Sequence, residues 1–155
     1  MSDQVAAAPR LPPETAVTLA GAALVLTLVE VGFASGEMIR HAVQASPVVL
    51  ATLVAWRRPD LGRWALGPIF LFWLLISIGI WMFLLGLPSP LKGTFNLWER
   101  VGAAGLGLAS LAGVSVYPRV RRLLAWYWGA AVLLVFAGLQ FEAFRISTLP
   151  AISHR

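Results

Sequence analysis

The sequence predicts an all-α integral membrane protein, a bundle of five transmembrane helices, and three observations support this fold class. First, 59% of the 155 residues are hydrophobic and only 12% are charged, whereas soluble domains average about 25% charged residues. Second, the mean hydropathy is +0.79, which is more apolar surface than a core of this size can hide from water. Third, the apolar runs have the length of membrane spans, roughly 20 residues each, and short breaks that carry arginine separate them.

The first element is an N-terminal tail. Residues 1–13 are small, polar and proline-containing, and we expect them to form a flexible cytoplasmic tail. A cleaved signal peptide is not expected, because Asp3 and Glu14 interrupt the basic and apolar order that such a peptide needs.

Two spans follow, at about 14–34 and 37–56, because the apolar stretch that contains them is too long for a single span. A polar turn divides the stretch. Gly36 can take the positive φ that ends the first helix, and Glu37 suits the positive N-terminal end of the second helix.

The second of these spans contains Pro47. In a membrane helix this proline predicts a kink, whose freed carbonyl group a hydroxyl or a neighbouring helix can satisfy. The alternative is one bent helix followed by an interfacial segment, which gives four spans instead of five.

Three further spans complete the predicted bundle. The third, at about 64–87, is the most hydrophobic part of the chain and ends before two prolines. The fourth and fifth are expected at about 97–117 and 123–144, and residues 145–155 form a short tail.

The basic residues predict the orientation of the bundle. The side that carries the N-terminus has more of them, and it is therefore expected to be cytoplasmic, with the C-terminus outside. The high isoelectric point of about 11.1 then results from basic residues that orient the bundle, and no nucleic-acid partner is expected. The basic residues expected inside, in the tail and loops, are Arg10, Arg57, Arg58, Arg63, Arg119, Arg121 and Arg122, against Arg40, Lys92, Arg100, Arg145 and Arg155 outside.

Several ionisable residues fall in the outer third of the predicted bundle. An acid within a span is costly unless it is paired, protonated or faces a cavity, and this makes it a candidate functional residue. We expect a polar, partly buried site that opens to the outer face. The equally physical alternative is that these charges fix helix register or reach the headgroups. The candidates for ligand or proton binding are Glu30, which is the deepest acid, and Glu37, Arg40, His41, Glu142 and Arg145.

The fourth span is rich in small residues. Gly105, Ala109 and Gly113 repeat every four positions, a spacing that lets two helix backbones approach closely. We therefore expect this span to lie in a tight helix contact, within one chain or across a dimer.

Few cofactors fit the composition. The chain has no cysteine, and with His41 and His154 as its histidines it offers too few ligands for a metal site. No catalytic residues are predicted. A quinone, a lipid, or a pigment held by one histidine remains open; the rings of Phe70, Phe72, Trp73 and Trp81 would then line the pigment.

Three classes of function fit these observations. The sequence favours a non-enzymatic membrane subunit or assembly partner, in contact with lipid and with another membrane protein or further copies of itself. The first alternative is a small oligomeric proton-coupled or ion transporter that uses Glu30. The second alternative is a quinone- or lipid-binding anchor or enzyme with its polar site near the outer face. A bacterial cytoplasmic (inner) membrane is the expected location.

Overall fold

The fold is all-helical. The structure is a computed structural model that describes residues 11–90, 93–117 and 126–152. Within those ranges there are no strands. The chain forms five helices: α1 (Pro13–Ser35), α2 (Met38–Arg57), α3 (Pro59–Leu84), α4 (Leu97–Val116) and α5 (Trp126–Ser147).

The first four helices form an antiparallel four-helix bundle. Helices α1 and α3 lie on its diagonal, and α2 and α4 each pack against both of them. Helix α5 lies outside this ring, in the groove between α2 and α3. One end of the bundle therefore gathers the end of α1, the start of α2, the end of α3, the start of α4 and the end of α5. We call it the Glu37 end.

Four helices, namely α1, α2, α3 and α5, are long and apolar enough to cross a membrane. Helix α4 is as long as α2, but Glu99 and Arg100 lie in its first turn, and its many small residues lower its hydropathy. The four apolar helices indicate an integral membrane protein.

Glycines in the left-handed conformation end two of the helices. Gly36, at φ 70°, ends α1, and Gly86, at φ 73°, ends α3. In both cases the backbone N–H groups of the glycine and of the next residue bond back to the last turn, the pattern of a Schellman motif. Gly36 thus ends α1 as the sequence predicted.

Helix α3 differs from the predicted 64–87 span at both ends. It begins at Pro59, since proline is well tolerated in the first turn of a helix, and it ends at Leu84. Arg63, expected in a loop, therefore lies inside α3 and is only 3% exposed. Its guanidinium group lies 5.2 Å from the ring centroid of Trp64 and 4.7 Å from that of Tyr117, and such stacking on aromatic faces lowers the cost of burying the charge.

The end of α5 also differs from the prediction. The helix runs to Ser147, three residues beyond the expected end at 144. Residues 145–147, predicted to belong to the C-terminal tail, continue the helical turns.

Pro47 lies inside α2 and is buried. A proline cannot donate to the carbonyl group one turn earlier, here that of Val43. The hydroxyl of Ser46 donates to that oxygen instead, at 2.8 Å, so the predicted compensation by a hydroxyl is confirmed.

The small residues of α4 face two neighbouring helices. A Cβ atom at Gly105 would come within 2.9 Å of Thr27 on α1, and one at Gly113 would overlap the ring of Phe70 on α3. Ala109, between them, is 8% exposed. The stripe thus lies in close contacts within one chain.

Some sequence predictions lie outside the described residues. These are most of the N-terminal tail, the arginines of the loop between α4 and α5, and the histidine of the C-terminal tail, with the residues Arg10, Lys92, Arg119, Arg121, Arg122, His154 and Arg155.

Candidate functional site

A cavity of about 750 Å³ lies at the Glu37 end of the bundle. This volume is within the usual range for small-molecule sites in proteins. All five helices and the segment 93–95 contribute to its wall. We call it the end cavity. It is lined by Leu28, Val31, Ser35, Glu37, Arg40, His41, Gln44, Trp73, Ile76, Ile80, Gly93, Thr94, Phe95, Glu99, Leu106 and Phe144.

The polar wall of the end cavity comes mainly from the start of α2. Glu37, Arg40, His41 and Gln44 lie at spacings of three or four residues, which puts them along one face of the helix. Glu37 is 6% exposed, and its Oε2 accepts a hydrogen bond from Nη1 of Arg40 at 2.7 Å. Nε of Arg40 is buried, and none of the described residues forms a hydrogen bond with it.

His41 has a defined orientation. Its Nδ1 lies 3.0 Å from the backbone oxygen of Glu37. A carbonyl oxygen can only accept, so Nδ1 must carry the proton that it donates. In the neutral ring, Nε2 is then a hydrogen-bond acceptor, on a residue that lines the end cavity.

Glu99 is buried on the opposite wall, at 5% exposure. Its Oε2 accepts from the backbone N–H of Asn96 at 2.6 Å, and Oδ1 of Asn96 accepts from the N–H of Glu99 at 2.9 Å. This capping box places the carboxylate at the positive end of α4, which stabilises its charge. Nδ2 of Asn96 also donates to the carbonyl oxygen of Ala34 at 2.9 Å, and so ties the segment over the cavity to the end of α1.

The deeper part of the end cavity is apolar and aromatic. Leu28, Leu106 and Ile76 form its walls, and Trp73 packs edge-on against Phe144 with ring centroids 6.4 Å apart. Trp73 is 2% exposed. Its indole Nε1 is buried, and no partner for it occurs among the described residues.

A buried amide network lies behind the polar wall. Nε2 of Gln44 donates to Oγ of Ser147 at 2.8 Å, and Nε2 of Gln140 approaches the backbone oxygen of Gln44 at 3.4 Å. These bonds join α2 to α5. The network therefore fixes the position of Gln44 at the cavity wall.

The structure brings together three of the predicted site residues, Glu37, Arg40 and His41. Glu142 and Arg145 do not join them. They pair with each other at 2.8 Å on the surface of α5, where both side chains are more than half exposed.

Glu30 lies apart from the end cavity. It lines an outward-facing groove of about 550 Å³ between α1 and α4, with Leu26, Phe33 and Trp98 among its neighbours. A Cβ atom at Gly102 would overlap its carboxylate, so the glycine makes room for it.

Sequence reasoning missed several cavity residues. Gln44 is one of them, and the helical spacing from Glu37 to His41 to Gln44 could have shown it. Trp73 was predicted only as a possible wall of a pigment site. Of the aromatic residues considered around a pigment, only Trp73 shares a wall with His41. Phe70 packs in the core, and Trp81 is 38% exposed.

No group of three or more histidine, aspartate or glutamate side chains able to hold a metal ion occurs among the described residues. Comparisons with known proteins give no relative: no family model matches the chain, and neither a curated protein nor a solved structure is similar to it. The site must therefore be interpreted from its own chemistry.

Proposed function

We propose that this protein binds a neutral amphiphile, a quinone or a neutral lipid, in the end cavity. One observation supports this most strongly. The cavity combines a polar wall at the membrane-surface end with an apolar interior, which is the distribution of polarity within such a ligand. Protein sites for small molecules commonly have this form, with mostly apolar walls and a few placed polar groups.

The charges of the cavity favour a neutral ligand. The carboxylate of Glu37 is paired with Arg40 at 2.7 Å, and that of Glu99 is stabilised by the start of α4. Among the described lining residues each charge thus already has a partner or a helix end to stabilise it, and desolvating a charged headgroup there would be costly. A carbonyl or hydroxyl headgroup needs only hydrogen bonds.

The proposal is tested by equilibrium dialysis of the detergent-solubilised protein with two probes, a decyl-substituted benzoquinone and didecanoylglycerol. We expect one of them to bind at a ratio of one to one, and the bound probe identifies the ligand class. Ile80→Trp fills the cavity and should abolish binding. Ile78→Trp, on the same helix but 48% exposed outside the bundle, is the matched control and should bind normally. Absence of binding by both probes would refute the proposal.

A role as a subunit or assembly partner is the second candidate function, and Glu30 supports it. Its carboxylate lies within a candidate span, and no hydrogen bond or ion pair to it occurs among the described residues. An unpaired carboxylate costs about 2.5–3.5 kcal/mol at the centre of a span, and Glu30, five residues before the end of α1, bears part of that cost. A neighbouring membrane helix that presents a basic or hydrogen-bond-donating side chain would remove this cost. Transport through Glu30 stays a prediction, since its carboxylate faces the outer groove rather than the end cavity.

Glu30→Leu tests this second function. If a partner helix pairs with Glu30, the variant should lose a partner that co-purifies with the wild type in mild detergent, as seen by native mass spectrometry. Glu142→Leu, which removes an exposed acid of α5, is the control. A wild type that purifies without any larger partner would contradict the subunit hypothesis.

We also propose that all five helices span the membrane, with the N-terminus in the cytoplasm of a bacterial cell. Helix α4 is 20 residues long, about 30 Å, and packs against α1 and α3, both of which are candidate spans. Because the chain has no cysteine, Arg58→Cys and Thr148→Cys can each be labelled alone with an impermeant maleimide. If α4 crosses the membrane, three spans separate the two positions and place them on opposite sides. If α4 does not cross, two spans separate them and place them on the same side.

A further inference from the structure

We infer that the ligand of the end cavity presents two hydrogen-bond acceptors, one to Nε of Arg40 and one to Nε1 of Trp73, and is therefore a dicarbonyl ring of the quinone class. This inference rests on the proposed function and adds the chemistry of the headgroup. It depends on two donors that the fold leaves without partners.

Both donors are buried atoms of residues that line the end cavity. Nε of Arg40 and Nε1 of Trp73 are both buried, and neither bonds to any of the described residues. Buried N–H groups are almost always hydrogen-bonded in native proteins, and a missing partner marks a place where a ligand or water belongs. Two such donors on one cavity indicate a ligand with two acceptors.

The Trp73 donor is the more informative of the two. Its side chain is 2% exposed and lies among apolar residues, where a headgroup confined to the membrane surface would not reach. A lipid with all its polar atoms at one end would satisfy Arg40 and leave Trp73 unpaired. A ring with an acceptor on each side can satisfy both.

The depth of Trp73 fits such a ring. On α2, Gln44 lies one turn deeper than Arg40, and it bonds to Ser147 on the antiparallel α5. On α5, Phe144 lies nearly one turn deeper than Ser147, and Phe144 contacts Trp73. Two turns correspond to about 10 Å along the bundle. A six-membered dicarbonyl ring with a hydrogen bond of about 2.9 Å at each end spans a similar length.

The remaining polar atoms complete the recognition. Nε2 of neutral His41 is an acceptor, because Nδ1 donates to the backbone. It can therefore take a hydrogen bond from a hydroxyl group, which the reduced form of a quinone carries and the oxidised form lacks. The site thus offers donors for the oxidised quinone and an acceptor for the reduced quinone.

The test compares two probes with the same alkyl chain and ring size, a decyl-substituted benzoquinone with two carbonyl acceptors and a decyl-substituted cyclohexenone with one. Dissociation constants are measured by equilibrium dialysis for the wild type, Trp73→Phe and Arg40→Lys. The lysine keeps the ion pair with Glu37 but has no Nε–H. Trp81→Phe, on the outer face of the same helix, is the control.

We expect the wild type and Trp81→Phe to bind the dicarbonyl probe roughly fivefold more tightly than the monocarbonyl probe, the effect of one net hydrogen bond. Trp73→Phe and Arg40→Lys should each remove that preference. If Trp73→Phe does not fold, Arg40→Lys alone carries the comparison.

Two results would overturn the inference and are distinguishable from each other. Equal binding of both probes by the wild type, blocked by Ile80→Trp, would mean that the cavity binds amphiphiles but does not use two donors. Binding of neither probe by the wild type would refute the proposed function and this inference with it.

Discussion

Gly113 offers a sharp test of how α4 is held in the bundle. A Cβ atom at this position would overlap three ring atoms of Phe70, and Phe70 is fully buried in the core, at 0% exposure. The ring cannot swing toward lipid, so either its rotamer or the spacing of α3 and α4 must change. We therefore expect Gly113→Ala to destabilise the protein.

The magnitude follows from two opposing effects. Adding a methyl group to a well-packed core typically costs 1–3 kcal/mol. Replacing a helical glycine by alanine returns up to about 1 kcal/mol of helix propensity. The net expectation is a loss of up to about 2 kcal/mol in the free energy of unfolding.

Gly138 provides the matched control, since nothing lies within 4 Å of the place where its Cβ would be. Gly138→Ala should leave the stability unchanged or raise it slightly. The assay is reversible unfolding in mixed micelles, titrated with sodium dodecyl sulfate and followed by circular dichroism. Equal stability of the two variants would refute the close contact between Gly113 and Phe70.

Three further predictions use the same unfolding assay. Asn96→Ala removes both the cap of α4 and the bond to the carbonyl group of Ala34, and should cost about 2 kcal/mol; Asn96→Ser loses the bond to Ala34 but keeps a cap and should cost less, and an equal loss would mean that the cap contributes nothing. Ser77→Ala removes the buried bond from the Ser77 hydroxyl to the backbone oxygen of Ala103, 3.0 Å long, and should cost about 0.6–1.7 kcal/mol, whereas the exposed Ser115→Ala should be neutral. Glu142→Gln breaks an exposed ion pair and should change stability by less than about 1 kcal/mol; a larger loss would show that the pair is buried in the assembled protein.

The sequence predicted the helical elements well because local signals determine them. Apolar length sets a membrane helix, and glycine at a positive φ ends one, as Gly36 does. The start of α3 was misjudged for a related reason. Arg63 looked like a loop residue, since a charge beside an apolar run usually lies in water, whereas in the fold its guanidinium group lies over the rings of Trp64 and Tyr117.

The candidate site was predictable only in part. Glu37, Arg40 and His41 are neighbours on one turn of helix, so their spacing alone placed them together. Trp73 is distant from them in sequence and looked like an ordinary packing residue. Its role depends on which way α3 faces and on an indole nitrogen that the packing leaves without a partner.

The sequence by itself determined the lipid environment and the helical elements, since the amount and length of apolar chain dictate helices in lipid. The tertiary structure decided which polar residues share a space. Glu30 and Glu37 are one helical heptad apart in sequence, yet the turn at Gly36 directs one to the outer groove and the other to the end cavity. Helix packing, which depends on contacts far apart along the chain, thus separates a surface that another helix could cover from a cavity that a ligand could fill.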